Sequence, residues 1–166
     1  MNKMHLSWDD YDKDIQKLIK KLKKRKFDPK TTAVIAIARG GLMPAQMVAY
    51  ALGLREVYTV VSKVYDGEEQ RQEQEITNVL TVDFEGYDNF IVVDDIYDSG
   101  KTMKGILFAL EQMSVVFSEN CSFIPAVVHS QKSKKELKEA GIIVGRRLKG
   151  SPWVVYPYDH LSKEFE

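Results

Sequence analysis

The sequence predicts an α/β fold, in which helices flank a mainly parallel sheet within a single domain. Short apolar runs typical of buried strands alternate with stretches whose apolar residues recur at helical spacing. A chain of 166 residues fits one hydrophobic core, so we treat residues 1–166 as one domain. In such sheets ligands bind beyond the carboxyl ends of the strands, and the residues that follow each strand are therefore the first candidates for a site.

The elements follow from this alternation. A helix is predicted after Ser7, a typical N-cap residue, because apolar side chains then recur every three or four positions. Residues 66–75 are so polar that an exposed, mobile loop is predicted there. The remaining predicted strands are 33–38, 57–65, 76–82, 90–93, 122–128 and 142–144, and the remaining predicted helices are 42–52, about 103–113 and 133–140.

Charge and composition exclude several classes of protein. The 24 basic residues balance 24 acidic ones, which argues against a nucleic-acid footprint over the whole surface. Cys121 is the only cysteine, so an internal disulfide or a cysteine-rich metal site is excluded, and a cytoplasmic location is expected. No apolar run approaches the ~20 residues needed to cross a bilayer, so no membrane span is predicted.

The most informative segment follows the predicted strand at 90–93. Asp94 and Asp95 are adjacent carboxylates, which suit a sugar diol or a hydrated Mg²⁺ ion. The turn from Ser99 to Thr102 opens a helix, whose N-terminal amides favour a phosphate group, and Asp98 lies between the two. A Walker A loop is excluded, because that motif requires glycine at the position of Asp95.

Residues 91–102 resemble the motif that binds phosphoribosyl pyrophosphate (PRPP) in type I phosphoribosyltransferases. The chain is most similar to the bacterial xanthine–guanine and hypoxanthine enzymes over nearly its whole length. Residues 38–45 resemble their pyrophosphate loop, and residues 153–159 resemble the C-terminal hood that holds the purine. The resemblance implies their fold, with a small hood formed by about 142–166 and the N-terminal segment. It also implies a homo-oligomer, either a dimer or a tetramer.

The resemblance further implies roles for individual residues. Asp98 would be the catalytic base for the purine nitrogen. PRPP would be bound through the ribose by Asp94 and Asp95, through the 5′-phosphate by Ser99, Gly100, Lys101 and Thr102, and through the pyrophosphate by Arg39, Gly40 and, from a closing loop, Arg71. Mg²⁺ would be held by Asp94, Asp95 and Asp159. Trp153 would stack on the base, and the Val154 backbone would contact its exocyclic edge.

One position departs from the family pattern. The 6-oxopurine enzymes carry a lysine after the strand that ends near residue 128, and here Lys132 lies one position late. His129, which precedes it, is interpreted as structural. The predicted function is transfer of the phosphoribosyl group from PRPP to a 6-oxopurine, in purine salvage. Two alternatives stay open: a regulator of the same fold that senses PRPP or a nucleotide, and a transferase for another acceptor base.

Overall fold

A six-stranded sheet forms the centre of the computed structural model, which describes residues 2–66, 72–117 and 120–161. Its strands are β2 (Thr32–Ala38), β3 (Val57–Asp66), β4 (Gln72–Thr77), β5 (Asn89–Tyr97), β6 (Ser122–Ser130) and β7 (Ile143–Arg147). They lie in the order β4-β3-β2-β5-β6-β7, and every neighbouring pair is parallel except the antiparallel pair β3 and β4. The predicted α/β class with a mainly parallel sheet is confirmed.

Helices cover both faces of this sheet. They are α1 (Trp8–Lys23), α2 (Leu42–Leu52), α3 (Lys101–Val116) and the short α4 (Lys134–Glu139). Alternate residues of β2 point to opposite faces: Val34 and Ala36 join the core that α1 and α2 cover, and Ile35 and Ile37 join the core under α3 and α4. The central strands are therefore apolar on both sides, as parallel strands buried between helices must be.

The start of α1 agrees with the sequence prediction. The Ser7 hydroxyl accepts a hydrogen bond from the Asp10 amide, and the Asp10 carboxylate accepts one from the Ser7 amide, which completes a capping box. The same arrangement joins Ser133 and Glu136 at the start of α4. Two orphan amides are satisfied at each helix start, and this fixes where the helices begin.

A second, two-stranded sheet pairs the two ends of the described chain. Strand β1 (Lys3–His5) lies parallel to β8 (Trp153–Val155). The hood is predicted to start near residue 142, but residues 143–147 form β7 and pair with β6 in the large sheet. The segment that pairs with β1 is therefore shorter than the predicted hood.

The prediction of an exposed loop at residues 66–75 is wrong at both ends of that segment. Asp66 is the last residue of β3, and residues 72–75 belong to β4, which pairs with β3 in an antiparallel register. Strand pairing satisfies backbone groups whatever the side chains are, so a polar composition does not exclude a strand. Residues 67–71 lie outside the described residues. The strand predicted at 76–82 stops at Thr77, and a 3₁₀ turn follows at Val79–Thr81.

The dimensions of the helices bear on the predicted absence of a membrane span. In the described ranges, no helix combines the length and the apolar character required to cross a bilayer.

Candidate active site

The candidate site lies where the order of the strands reverses. From β2 the chain passes through α2 to β3 on one side, whereas β5 lies on the other side of β2. The carboxyl ends of β2 and β5 are therefore neighbours whose following loops turn away from each other. This opens a crevice at the edge of the sheet, which is the usual ligand site in open α/β folds.

Two glycines allow the loop after β2 to approach β5. A Cβ atom on Gly40 would lie 2.5 Å from Cγ and 2.7 Å from Oδ1 of Asp95. A Cβ atom on Gly41 would overlap the carbonyl oxygen of Val93 and lie 2.6 Å from that of Ile37. At Gly41 a side chain would require the backbone to move, whereas at Gly40 it would displace the Asp95 carboxylate. Arg39, which is exposed, directly precedes the two glycines, and the peptide bond between Ala38 and Arg39 is cis.

Asp94 and Asp95 lie at this crevice as an adjacent pair of acids. The Asp95 amide donates a 2.9 Å hydrogen bond to Oδ1 of Asp94. Burial raises the pKa of Asp95 to about 6, and burial together with the charge of Asp95 raises the pKa of Asp94 well above its ordinary value. Neither carboxylate forms an ion pair with any cation that the structure describes. The pair is therefore suited to a ligand that brings positive charge.

The turn after β5 leads directly into α3. Asp98 and Ser99 are exposed, and Gly100 occupies the N-cap position with a φ of 81°, in the left-handed region that favours glycine. A Cβ atom there would also overlap the Tyr97 ring. The Lys101 amide donates to the Ser99 hydroxyl at 3.3 Å. The backbone thus presents the positive end of a helix dipole at this turn, as a phosphate site requires.

A cavity of about 520 Å³ opens between the crevice and the hood. All of its lining residues come from the loop after β2, the end of β5 and the segment from β8 onward. They are Arg39, Gly40, Asp95, Ile96, Trp153, Val154, Tyr156, Tyr158, Asp159 and Leu161. The structure therefore brings together six of the predicted site residues: Arg39, Gly40, Asp95, Trp153, Val154 and Asp159. Asp94, the 98–102 turn and Lys132 lie outside the lining of this cavity.

Tyr156 connects the hood to the acidic pair, and sequence reasoning missed it. Its amide donates a 2.7 Å hydrogen bond to Oδ2 of Asp159, and its hydroxyl donates a 3.2 Å hydrogen bond to the carbonyl oxygen of Asp95. Its ring stacks parallel to that of Tyr158, with centroids 5.3 Å apart. The available signal was the pair of tyrosines inside the hood motif itself.

Lys132 is held by its own loop. Its amide donates to the Ser130 hydroxyl at 3.1 Å, and its ammonium group lies 3.9 Å from Oε1 of Glu136, one helical turn away on α4. The neighbouring Gln131 side chain donates to the carbonyl oxygen of Pro152 at 2.7 Å, which ties this loop to the chain before β8. Contact between Lys132 and a base therefore stays a prediction. Arg71 lies outside the described residues.

Comparison with known proteins identifies the fold and the family. The family model described as "Phosphoribosyl transferase domain" matches residues 7–163. The chain belongs to this family. It is 31% identical to the xanthine-guanine phosphoribosyltransferase of Idiomarina loihiensis over 126 residues, which are 76% of this chain and 70% of that one.

Solved structures agree with the phosphoribosyltransferase fold. The xanthine-guanine-hypoxanthine phosphoribosyltransferase of Helicobacter pylori superposes with a TM-score of 0.72 at 23% identity, covering 99% of this chain and 100% of that one. A hypothetical protein from Neisseria gonorrhoeae with bound ppGpp superposes with a TM-score of 0.69 at 27% identity, covering 99% and 93%. The site described above thus lies in a phosphoribosyltransferase domain.

Proposed function

We propose that this phosphoribosyltransferase moves the 5-phosphoribosyl group of PRPP to a purine base, giving a nucleoside monophosphate and pyrophosphate. The carrying observation is that the Arg39–Gly40 turn, the Asp95 carboxylate and the Trp153–Val154 strand line one cavity. An arginine suits the leaving pyrophosphate, a carboxylate suits the sugar hydroxyls, and an indole suits a flat base. Family membership and the xanthine-guanine relative support the same reaction.

The proposed roles follow the charges that develop. The bond from the sugar carbon C1′ to the pyrophosphate oxygen breaks as a base nitrogen bonds to C1′. We propose that the Arg39 guanidinium and the Gly40 amide stabilise the negative charge on the leaving group, with Arg71 as a further predicted cation. We assign the proton lost by the base nitrogen to the exposed Asp98 carboxylate. The Ser99–Thr102 turn holds the 5′-phosphate at the start of α3.

We propose Mg²⁺ as the cofactor. Asp94, Asp95 and Asp159 each offer carboxylate oxygens, the ligands that Mg²⁺ prefers, but among the described residues no three acidic, histidine or cysteine side chains lie together as a complete metal site. The raised pKa values of Asp94 and Asp95 indicate a place where a cation is favoured. In proteins Mg²⁺ commonly uses one or two carboxylates and takes further oxygens from substrate phosphates and water. We therefore expect the ion to bind together with PRPP, where it would neutralise charge on the leaving pyrophosphate.

The metal proposal has a test that needs no turnover. PRPP should raise the melting temperature of the protein when Mg²⁺ is present and much less in EDTA, because a ligand that binds only the native state stabilises it. Differential scanning fluorimetry over a PRPP series measures this. Equal protection in EDTA would remove the metal from the proposal.

We propose a 6-oxopurine (xanthine, guanine or hypoxanthine) as the acceptor. The Trp153 ring is half-exposed at the cavity, so a base could cover it, and the Val154 backbone follows it in β8. A lysine donor such as Lys132 would pair with a purine oxygen but would face a second donor in adenine. A buried unpaired polar group costs ~1–3 kcal/mol, which corresponds to roughly 10- to 100-fold discrimination.

The deciding experiment is pyrophosphate release with each base at saturating PRPP and Mg²⁺. Guanine, xanthine or hypoxanthine should be the best acceptor, and Trp153→Ala should raise the KM for the base. Lys132→Ala separates the two base contacts: if it keeps full discrimination against adenine, the lysine is outside the pocket. Adenine or uracil as the best acceptor would overturn the assignment.

A nucleotide-sensing role is the second candidate, favoured by one specific observation. The similar protein from Neisseria gonorrhoeae, at 27% identity, was solved with bound ppGpp, a guanine nucleotide that carries pyrophosphate groups. The cavity of this chain offers an aromatic ring, which suits a guanine base, and an arginine–glycine turn, which suits a pyrophosphate group. Tight binding of PRPP or a guanine nucleotide without pyrophosphate release for any base would favour this role.

We also propose that the phosphoribosyltransferase is a cytoplasmic homo-oligomer. Helix α2 carries no charged residue, and its Tyr50 and Leu42 side chains are 81% and 45% exposed. Two copies of this uncharged face can pack together without charge repulsion, so a second copy of the chain is the occupant we propose. Light scattering should give a dimer or tetramer mass that Tyr50→Glu reduces. A wild-type monomer mass would contradict the proposal.

A further inference from the structure

A buried chain of polar side chains runs from α1 to the candidate site. The Nε2 atom of His129 lies 3.1 Å from Oδ2 of Asp14, and its Nδ1 atom lies 3.1 Å from the Tyr156 hydroxyl. That hydroxyl lies 3.2 Å from the carbonyl oxygen of Asp95. Asp14 and His129 are almost completely buried, at 1% and 0% exposure. Buried polar groups are costly unless they are paired, and here each pairs with the next.

The charges around this chain indicate which atoms carry protons. Lys17 lies 2.7 Å from Oδ1 of Asp14, and Arg146 lies 3.1 Å from its Oδ2 atom. These two cations neutralise the carboxylate without help from His129. Burial lowers the pKa of His129, although Asp14 acts in the opposite direction. A neutral ring donates from Nε2 to the carboxylate, and this leaves Nδ1 as an acceptor that shares the single Tyr156 hydroxyl proton with the Asp95 carbonyl oxygen.

The position of Tyr156 explains why this chain bears on the site. Its hydroxyl contacts the backbone of Asp95, whose carboxylate packs against Gly40. Its amide holds Asp159, and β8, with its base-side residues, immediately precedes it. A single side chain therefore joins the sugar side of the cavity to the base side. His129, on β6, contacts the hydroxyl of that side chain and so fixes its direction.

We infer that Tyr156 and His129 are positioning residues that hold Asp95 and the hood in register for transfer, an inference that rests on the proposed function. Neither side chain is assigned a role in bond making. The hydroxyl of Tyr156 sets the backbone of Asp95, and the imidazole sets the hydroxyl. Partners that orient the groups holding a metal or substrate typically change affinity or activity by 10- to 100-fold when they are removed.

The test compares two tyrosines that each lose only a hydroxyl. At a temperature well below the melting temperature of the variant, Tyr156→Phe should weaken binding of Mg²⁺·PRPP, measured by calorimetry. It should also lower kcat/KM by roughly 10- to 100-fold. The control is Tyr11→Phe. The Tyr11 ring also packs edge-on against Tyr156, with centroids 5.9 Å apart, but its buried hydroxyl has no hydrogen-bond partner among the described residues. It should leave affinity and kcat/KM near the wild-type values.

Two substitutions at His129 then separate its contacts. A glutamine amide can occupy the place of Nε2 and keep the bond to Asp14, whereas an asparagine amide can occupy the place of Nδ1 and keep the bond to Tyr156. His129→Gln should therefore weaken Mg²⁺·PRPP binding about as much as Tyr156→Phe, and His129→Asn should weaken it less. The double variant Tyr156→Phe, His129→Gln should lose no more than either single variant, because both break the same link.

The results separate this inference from the function on which it rests. If the wild type binds Mg²⁺·PRPP but releases no pyrophosphate with any base, the proposal of phosphoribosyl transfer is wrong. The affinities of the variants for Mg²⁺·PRPP still decide the positioning role. If the wild type neither binds nor turns over PRPP, both proposals fall. If the wild type is active and Tyr156→Phe matches Tyr11→Phe in affinity and kcat/KM, the positioning role alone is wrong. A lower melting temperature with unchanged affinity would also overturn it, since the contact would then only stabilise the fold.

Discussion

Two sets of carboxylates in this molecule have opposite electrostatic surroundings. Burial alone would raise the pKa of Asp14, but hydrogen bonds from Lys17, His129 and Arg146 outweigh it and lower that pKa below its ordinary value. Asp94 and Asp95 have no such cationic donors among the described side chains. Burial raises both pKa values, together with the charge of Asp95 at Asp94 and the charge of Asp159 at Asp95. One acid is satisfied by the protein, and the other two are not.

The opposite pKa shifts distinguish an acid that stabilises the fold from acids that are suited to binding a ligand. A carboxylate with complete partners adds to the free energy of unfolding, because folding favours its charged form. A carboxylate pair with raised pKa values subtracts from it at neutral pH, and such a cost is typical of functional sites. Three measurements can break or sharpen this contrast, and a fourth concerns an acid outside both sets.

The largest effect is expected at Asp98, the exposed acid that belongs to neither set. As the proposed general base, it should contribute ~10²–10⁴-fold to the rate, so Asp98→Asn should lower kcat by roughly that factor. Its melting temperature should stay near that of the wild type, because the side chain is exposed. Steady-state pyrophosphate release measures the rate, with Asp12→Asn, an exposed change on α1, as the control. Wild-type turnover in Asp98→Asn would falsify the assignment.

Replacing the satisfied acid should cost stability. Asp14→Asn keeps the shape but leaves three donors without a carboxylate, and the loss should be ~1–3 kcal/mol in the free energy of unfolding. Because the folded-state pKa is lowered, the contribution is present above about pH 4 and is lost as the pH falls through that lower pKa. The gap between variant and wild type should therefore close at low pH. Urea unfolding at pH 7 and below pH 4 measures it, again with Asp12→Asn as the control; an equal gap at both values would contradict the account.

The unsatisfied pair should make ligand binding depend on pH. Mg²⁺ binds the ionised carboxylate, and the pKa of Asp95 is raised to about 6. Affinity for Mg²⁺·PRPP should therefore be nearly constant above pH 7 and fall by up to about tenfold per pH unit below 6, if one proton is displaced. Calorimetry in two buffers of different ionisation enthalpy also counts the protons released. An affinity that is flat from pH 5 to 8 would show that the pair does not titrate on binding.

The smallest expected effect is a gain in the stability of the ligand-free protein. The folded-state pKa values of the pair exceed those of the unfolded chain, so the pair destabilises the ligand-free protein as the pH rises through them. Asp94→Asn should raise the melting temperature in EDTA at pH 7 by a few degrees, where ~1 kcal/mol corresponds to roughly 2–4 °C. The gain should shrink at pH 5, where the wild-type pair already holds a proton. A loss like that of Asp14→Asn would erase the contrast between the two sets.

The central sheet could be predicted from the sequence, because its strands are short apolar runs whose limits are marked by charged or glycine-rich turns. The stretches Phe90–Val93 and Ala33–Ala38 are both predicted as buried strands, and both lie at the centre of the sheet. Strand β4 could not be predicted in the same way. Residues 72–75 carry charged and amide side chains, and only their pairing with β3 makes them a strand.

The site divides along the same line. Asp94, Asp95 and Arg39 follow apolar runs directly, so the local pattern alone predicts that they lie at the edge of the sheet. The partners of His129 could not be predicted, because Asp14 lies 115 positions away and Tyr156 lies 27 positions away. A partial signal existed for Asp14, which falls on the apolar stripe of α1, three positions after Tyr11 and four before Leu18. A lone acid on such a stripe indicates a buried partner elsewhere in the chain.

The pairing of β1 with β8 has a consequence for how the protein is made. Lys3 aligns with Trp153, so a ribosome must add about 150 residues after the first strand before its partner exists. At ~5–20 residues per second, residues 3–5 wait for roughly 8–30 seconds, which is long compared with the folding of most small domains. The strands of the large sheet, by contrast, are all complete once residue 147 has been added. The wall that carries Trp153 is thus the last part of the cavity to be synthesised.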